Sequence, residues 1–171
     1  MCSSDLSRLL RRCGGDLINR HSPAAVVKSI SQWVQVKTGN TSADPCNTFD
    51  RIMEISEQHQ LKSAFYFITD RTGGAIDGNY SFDSPLIRDL LRKIHHRGHE
   101  IGLHPSYHTY KDTTQTKKEF EILKKVCAQE GIEQDSWGGR QHYLRWENPT
   151  TFQTWEEAGL RSEERRVGKE C

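Results

Sequence analysis

With 171 residues, 34% of them hydrophobic, and a formal net charge of +1, the chain is long enough for one domain, and its low apolar content favours a larger domain cut short. The balanced charge gives no sign of nucleic-acid binding. No stretch reaches the roughly 20 apolar residues of a membrane span, and the N-terminus lacks the apolar core of a secretory signal. The five cysteines form no Cys-x-x-Cys pair, which predicts reduced thiols and a cytoplasmic location, while the oligomeric state stays open.

The two ends of the chain differ from the rest. From Arg161 the sequence RSEERRVGKEC is a charged run without periodic apolar positions. This tail and the opening MCSSDL resemble translated sequencing-adaptor read-through. We therefore expect residues 1–6 and 161–171 to be non-native, and the natural protein to continue beyond both ends.

Residues 7–43 are predicted to form an N-terminal helical segment. Ser22 and Pro23 suit the cap and first turn of a helix that continues to Lys37. Its apolar residues recur at helical spacing, at Val26, Val27, Ile30, Trp33 and Val34. This stripe favours core packing over a partner-binding face.

Residues 44–160 alternate between predicted helices and strands. Asp44 and Pro45 predict the start of a helix that ends near His59. The following elements are a strand at 63–68, a polar loop at 69–83, a helix from Ser84 to Gly98, a strand at 99–103, a helix at 114–129, a strand at 137–140 and a helix at 150–158. This alternation predicts an α/β fold with a parallel sheet, open or closed into a barrel.

In such barrels, functional residues follow the carboxyl ends of the strands. Here those positions hold Asp70, then His104 and His108, then residues 140–146. Two histidines four residues apart, with Pro105 stiffening the backbone between them, can direct two imidazoles at one metal ion. By spacing alone, a pair of surface histidines is the alternative.

The sequence GHEIGLHPSYH, at 98–108, resembles the second motif of the polysaccharide deacetylase (NodB-like) family. In that motif a Gly-His-Glu-Ile-Gly strand leads into His-(Ser/Thr)-x-x-His, and both histidines ligate the metal. The resemblance implies that His104 and His108 bind a divalent ion, commonly zinc, although Pro105 replaces the usual Ser/Thr. It covers about 44–160 and implies a partial, distorted (β/α) barrel, which we expect to be incomplete at both ends.

The sequence GGRQHYLRW, at 138–146, resembles the third motif of the same family. By position Arg140 takes the role of the arginine that orients the catalytic aspartate. Four nearby residues are candidates for substrate contact: Tyr107, His142, Tyr143 and Trp146. The sequences of both motifs most resemble those of a subgroup found with bacterial surface-polysaccharide genes.

The first motif of the family, Thr-Phe-Asp-Asp, supplies a general base and the third metal ligand. Thr48-Phe49-Asp50 resembles its beginning, but Arg51 replaces the ligand aspartate and Asp50 lies in a predicted helix. We interpret Asp50 as a solvent-facing helix residue and expect the aspartate-bearing strand to lie upstream. Asp70 is the reserve candidate for a site carboxylate, with a capping or turn role as its alternative.

The resemblance implies a hydrolase acting on C–N bonds, which removes acetyl groups, and N-acetyl groups in particular, from a carbohydrate. Since the chain supplies two of three metal ligands, we expect it to be inactive alone. One alternative is a metal-free carbohydrate-binding or structural domain on the same fold. Another is a cyclic-amide hydrolase, which differs only in substrate.

Overall fold

The computed structural model describes residues 6–162, so the predictions for 1–5 and 163–171 lie outside it. The chain divides into two compact units, residues 1–54 and 55–171. This division falls later than the predicted boundary at 43/44, which stays a prediction. Within 6–162, no helix is long and apolar enough to cross a membrane.

The first unit contains helices α1 (Leu6–Ile18) and α2 (Pro23–Lys37), which contact each other, and the beginning of a third helix. Ser22 caps α2 as predicted, since its hydroxyl accepts a hydrogen bond from the N–H of Ala25 at 3.3 Å. Pro23 occupies the first turn, where a missing N–H costs nothing. A short 3₁₀ turn, Thr41–Ala43, follows α2.

Helix α3 (Phe49–Gln58) begins later than predicted. The prediction that Asp44 and Pro45 start this helix is wrong, because Asp44 instead closes a turn. Its carboxylate accepts from the N–H of Cys46 at 2.9 Å, and its carbonyl accepts from the N–H of Asn47 at 2.9 Å. Such a local side-chain bond competes with helix formation. Asp50 lies in a helix, as predicted, in the first turn of α3, but it is half-buried rather than fully solvent-facing.

The second unit carries the sheet. Its elements are β1 (Ala64–Phe67), α4 (Pro85–His96), β2 (Glu100–Leu103), α5 (Thr113–Gln129), β3 (Trp137–Gly139), α6 (Thr150–Ala158) and β4 (Leu160–Ser162). The four strands are all parallel, in the order β1-β2-β3-β4. Consecutive parallel strands joined by helices confirm the predicted α/β class and are consistent with a partial (β/α) barrel.

Strand β4 was not predicted. It pairs with β3 in register Trp137↔Leu160, and the guanidinium of Arg161 lies 3.0 Å from a carboxylate oxygen of Glu100. The strand therefore runs two residues past the predicted boundary at 160/161.

Helices α4 and α5 bury apolar faces against β2. Pro85 occupies the first turn of α4, and Gly98 follows its end with φ 77°, a conformation that favours glycine. Asp112 caps α5 by accepting from the N–H of Gln115 at 2.9 Å. The core comprises Phe65, Phe67, Ile87, Leu91, Ile94, Ile101, Leu103, Phe120, Leu123, Val126, Ile132, Trp155 and Leu160. Burial of each larger side chain contributes about 1.5–3 kcal/mol.

The sheet hydrogen bonds continue one residue beyond β2 and β3. The N–H of His104 donates to the carbonyl of Phe67 at 2.9 Å, and the N–H of Arg140 donates to that of Leu103 at 3.0 Å. His104 and Arg140 are thus held side by side at the carboxyl edge of the sheet.

Candidate functional site

Two imidazoles meet at this edge. The Nε2 atom of His104 lies 2.8 Å from Nδ1 of His142, and the ring centroids are 4.7 Å apart at nearly right angles. We call His104 and His142 the imidazole pair. His142 belongs to the loop after β3, so two neighbouring strands each contribute one ring.

The outer nitrogens of the imidazole pair are bonded to backbone carbonyls. Nδ1 of His104 lies 2.5 Å from the carbonyl oxygen of Arg140, and Nε2 of His142 lies 3.2 Å from that of Ile76. Because a carbonyl only accepts, each outer nitrogen carries the hydrogen and each inner nitrogen presents a lone pair. A proton or a cation between the inner nitrogens satisfies both lone pairs. Anchoring of the outer N–H to a carbonyl is typical of metal-ligating histidines.

The electrostatic surroundings keep His104 neutral. Burial lowers the pKa of His104 below its ordinary value, and the adjacent His142 acts in the same direction. Beyond His142 lies the fully buried carboxylate of Asp77, whose Oδ1 is 3.7 Å from Nε2 of His142. Asp77 is fixed by the N–H groups of Tyr107 at 2.7 Å and Gly73 at 2.5 Å.

The donor chemistry of the imidazole pair fits zinc and similar ions, which imidazole nitrogen suits. A catalytic zinc site usually has three protein ligands. Among the residues that the structure describes, no group of three or more His, Cys, Asp or Glu side chains is arranged to hold a metal ion. Within residues 6–162, the imidazole pair therefore has one ligand fewer than that number.

His108 contributes its backbone rather than its ring to these contacts. Its N–H donates to the hydroxyl of Thr72 at 3.0 Å, while the residue is exposed. Its ring lies edge-on against Tyr107, with centroids 5.0 Å apart. The structure thus places His104 next to His142, and His108 on the outer side of Tyr107.

Arg140 is exposed, and it contacts the site through its main chain, because its carbonyl anchors His104. A second arginine, Arg145, was not singled out in the sequence. Its guanidinium carbon lies 4.0 Å from the ring centre of Tyr107 and 4.1 Å from that of Tyr110, and it donates to the carbonyl of Tyr107 at 3.0 Å. Arg145 therefore ties the β3 loop to the β2 loop.

The aromatic candidates lie in two groups. Tyr143 packs edge-on against Tyr107 and His142, with centroids 5.6 and 4.8 Å apart, yet remains 68% exposed. Trp146, 46% exposed, packs against Phe152 at 4.1 Å. Tyr143 has φ 55°, which is unfavourable for a bulky side chain and often occurs at functional sites.

Asp70 has the contacts of a turn residue. Its Oδ1 accepts from the N–H of Arg71 at 2.8 Å, and its Oδ2 accepts from Lys118 at 2.7 Å and Gln115 at 2.9 Å. The bond from Lys118, followed by that from Gln115, lowers the pKa of Asp70 to about 2. Both oxygens are therefore engaged with partners on α5 and in its own loop.

Asp70→Asn should reduce stability near neutral pH and have little effect in acid. A carboxyl group whose pKa falls from 3.8 to about 2 on folding stabilises the protein above the higher value and loses that contribution as pH falls through the lower one. Because Lys118 is exposed, we expect a loss of about 1 kcal/mol or less. Urea unfolding at neutral pH and near pH 2 measures the difference. Asp135→Asn, at an exposed site, is the control, and a pH-independent difference would contradict the expectation.

Two buried carboxylates in the site surroundings were missed from the sequence. Asp77 lies in a glycine-containing loop without a periodic pattern, so no signal marked it. Glu119 is fully buried in α5, on the same face as Leu123 and Val126. A charged residue on an apolar helix face was a signal that could have identified Glu119.

A family model described as polysaccharide deacetylase matches residues 42–160, more than two thirds of the chain. No curated protein and no solved structure gave a significant match.

Proposed function

Because the chain belongs to the polysaccharide deacetylase family, a class of hydrolases acting on C–N bonds, we propose that it serves metal-dependent removal of N-acetyl groups from a carbohydrate. The observation that carries this proposal is the imidazole pair, whose outer nitrogens are anchored to carbonyls and whose inner nitrogens converge at 2.8 Å. The anchoring of the outer nitrogens is typical of metal-ligating histidines, and the inner nitrogens are close enough together to contact one cation after a small separation of the rings.

His104 and His142 would hold the divalent ion, which would supply a Lewis acid for the acetyl carbonyl and an activated water. Residues of the chain set the protonation and the orientation of the two imidazoles. Burial keeps His104 neutral, so its lone pair stays available near neutral pH. The carbonyls of Arg140 and Ile76 fix the ring orientations, and Asp77 lies behind His142.

We further propose that His142 supplies the second imidazole of the site. His108, the ligand that the family motif implies, is the competing proposal, and its exposed position beside Tyr107 supports a peripheral role. The orienting role of the Arg140 side chain and the reserve role of Asp70 also remain proposals.

The proposed substrate is an acetylated sugar of a bacterial surface polysaccharide. The resemblance of the two motifs supports this class. Tyr143 supports it independently, because an exposed aromatic face beside the imidazole pair suits the apolar face of a sugar ring. Tyr107 and Trp146 are the further aromatic candidates.

The test is acetate release from N-acetylated and O-acetylated oligosaccharides in the presence of zinc. Since the described residues supply two imidazoles, we expect release to be slow at most, and any release to stop with a chelator or in His104→Ala. Acetate release that survives both treatments would exclude a metal-dependent reaction at His104.

A carbohydrate-binding domain without catalysis is the second candidate, favoured by the exposed rings of Tyr143 and Trp146. It predicts oligosaccharide binding that is independent of zinc and unchanged in His104→Ala, without acetate release from any sugar. Calorimetry with the same oligosaccharides distinguishes the two functions.

A further inference from the structure

The loop that carries His104 and His108 is bonded to a buried carboxylate in α5. Glu119 is 0% exposed, which is rare for a carboxylate without partners. Its Oε2 accepts from the N–H of Ser106 at 2.8 Å, and its Oε1 accepts from the hydroxyl of Ser106 at 2.5 Å and from Gln115 at 2.9 Å. Ser106, at the centre of the loop, is thus held by two bonds from one side chain.

The bonds continue from Ser106 to the loop after β1. The hydroxyls of Ser106 and Thr72 lie 2.6 Å apart, and the Thr72 hydroxyl accepts from the N–H of His108 at 3.0 Å. Since Ser106 donates its hydrogen to Glu119, Thr72 must donate to Ser106. We call this sequence, from the His108 N–H through Thr72 and Ser106 to Glu119, the hydroxyl chain.

The hydroxyl chain has a fixed direction. It begins at a backbone N–H, which only donates, and ends at a carboxylate, which accepts when ionised. Burial raises the pKa of Glu119, while the bonds from Ser106 and Gln115 oppose the rise. The main-chain carbonyl of Glu119 also accepts from the hydroxyl of Thr69 at 2.9 Å. Glu119 therefore forms hydrogen bonds with both the loop after β1 and the loop after β2.

We propose that Glu119 is a positioning residue, which acts through Ser106 and Thr72 to hold the His104–His108 loop in the conformation where His104 faces His142. The loop has a rigid anchor at its strand end, where the N–H of His104 donates to Phe67. The hydroxyl chain is its anchor at the other end. This inference rests on the proposed function only in identifying the site that the loop serves.

Glu119→Gln tests the direction of the chain at nearly constant volume. In glutamine, an NH₂ donor replaces one of the two carboxylate oxygens that accept from Ser106. This NH₂ group would face either the N–H or the hydroxyl of Ser106. If the Ser106 hydroxyl reversed, Thr72 would lose its acceptor, because the His108 N–H cannot accept. Thr72→Val interrupts the same chain in the middle without altering a charge. Glu121→Gln, at an exposed position on the same helix, is the matched control.

The primary measurement is amide hydrogen exchange of Ser106 and His108 at neutral pH, read against amides of β1. In Glu119→Gln and Thr72→Val we expect exchange at both amides to accelerate about tenfold or more, selectively over β1. Zinc affinity should fall by about tenfold in both. The double variant should add little to either single variant, because both interrupt one chain. Glu121→Gln should match the parent.

The proposal would be overturned if Glu119→Gln lowered global stability but did not accelerate exchange at Ser106 and His108 relative to β1, and left zinc affinity unchanged. Glu119 would then be a core residue only. Failure of the proposed function is distinguishable from this outcome. A parent chain that binds no zinc would count against the metal site, whereas the exchange comparison would still test Glu119.

Discussion

His104→Ala and His142→Ala should each lower zinc affinity by about 100-fold or more, whereas His108→Ala should lower it by less than about tenfold. The first two substitutions remove the nitrogens that converge at 2.8 Å. The third removes an exposed ring and keeps the backbone N–H that bonds to Thr72. Calorimetric titration of the three variants with zinc measures the ranking.

His96→Ala, an exposed histidine on α4, is the control for nonspecific binding of zinc to imidazole. The competing assignment gives the opposite ranking. If His108→Ala abolished binding as fully as His104→Ala, while His142→Ala retained it, the second ligand would be the one that the family motif implies and the imidazole pair would have another role.

The elements that position the site could be predicted from the sequence because their signals are local. A short apolar run predicts β1, a proline and a following glycine delimit α4, and apolar residues at helical spacing predict α5. Since the carboxyl ends of parallel strands share one edge, the placement of His104 and Arg140 at that edge followed from these elements.

The start of α3 and strand β4 could not be predicted, for two different reasons. The helix start depends on which of two local patterns is more stable, and the strand depends on tertiary pairing. Asp44 and Pro45 match a helix start in the sequence, but the carboxylate of Asp44 closes a turn with Cys46 instead. β4 is a three-residue strand in a charged sequence, and its pairing with β3 and the contact of Arg161 with Glu100 lie outside any local pattern.

The choice of partner for His104 is a long-range property. His108 lies on the same loop and is therefore visible as a spacing, whereas His142 reaches His104 from the next strand end. Nothing in the residues between them indicates that the ring of His142 turns inward, since its orientation is set by Ile76 and Asp77 in a third loop. Sequence reasoning identified all three histidines, but it could not determine which two face each other.

The approach of the strands beneath the site requires a glycine at position 102, in the middle of β2. A Cβ built on Gly102 would collide with the carbonyl of Gly138 and would lie 2.6 Å from ring carbons of Tyr66. Both neighbours come from adjacent strands in register, so neither can move without disturbing the sheet. The ring of Tyr66 occupies the space that a side chain at position 102 would need.

Gly102→Ala should therefore lower the free energy of unfolding by about 1–3 kcal/mol, the range of overpacked core sites. Gly138→Ala is the matched control on the adjacent strand, since its added Cβ would lie 3.5 Å from the Tyr66 hydroxyl, an ordinary contact. We expect the control to change stability by about 0.5 kcal/mol or less. Urea unfolding of both variants measures the difference. Equal midpoints would mean that β2 and β3 can separate, and the backbone that holds His104 beside His142 would then be less rigid than the register of these strands implies.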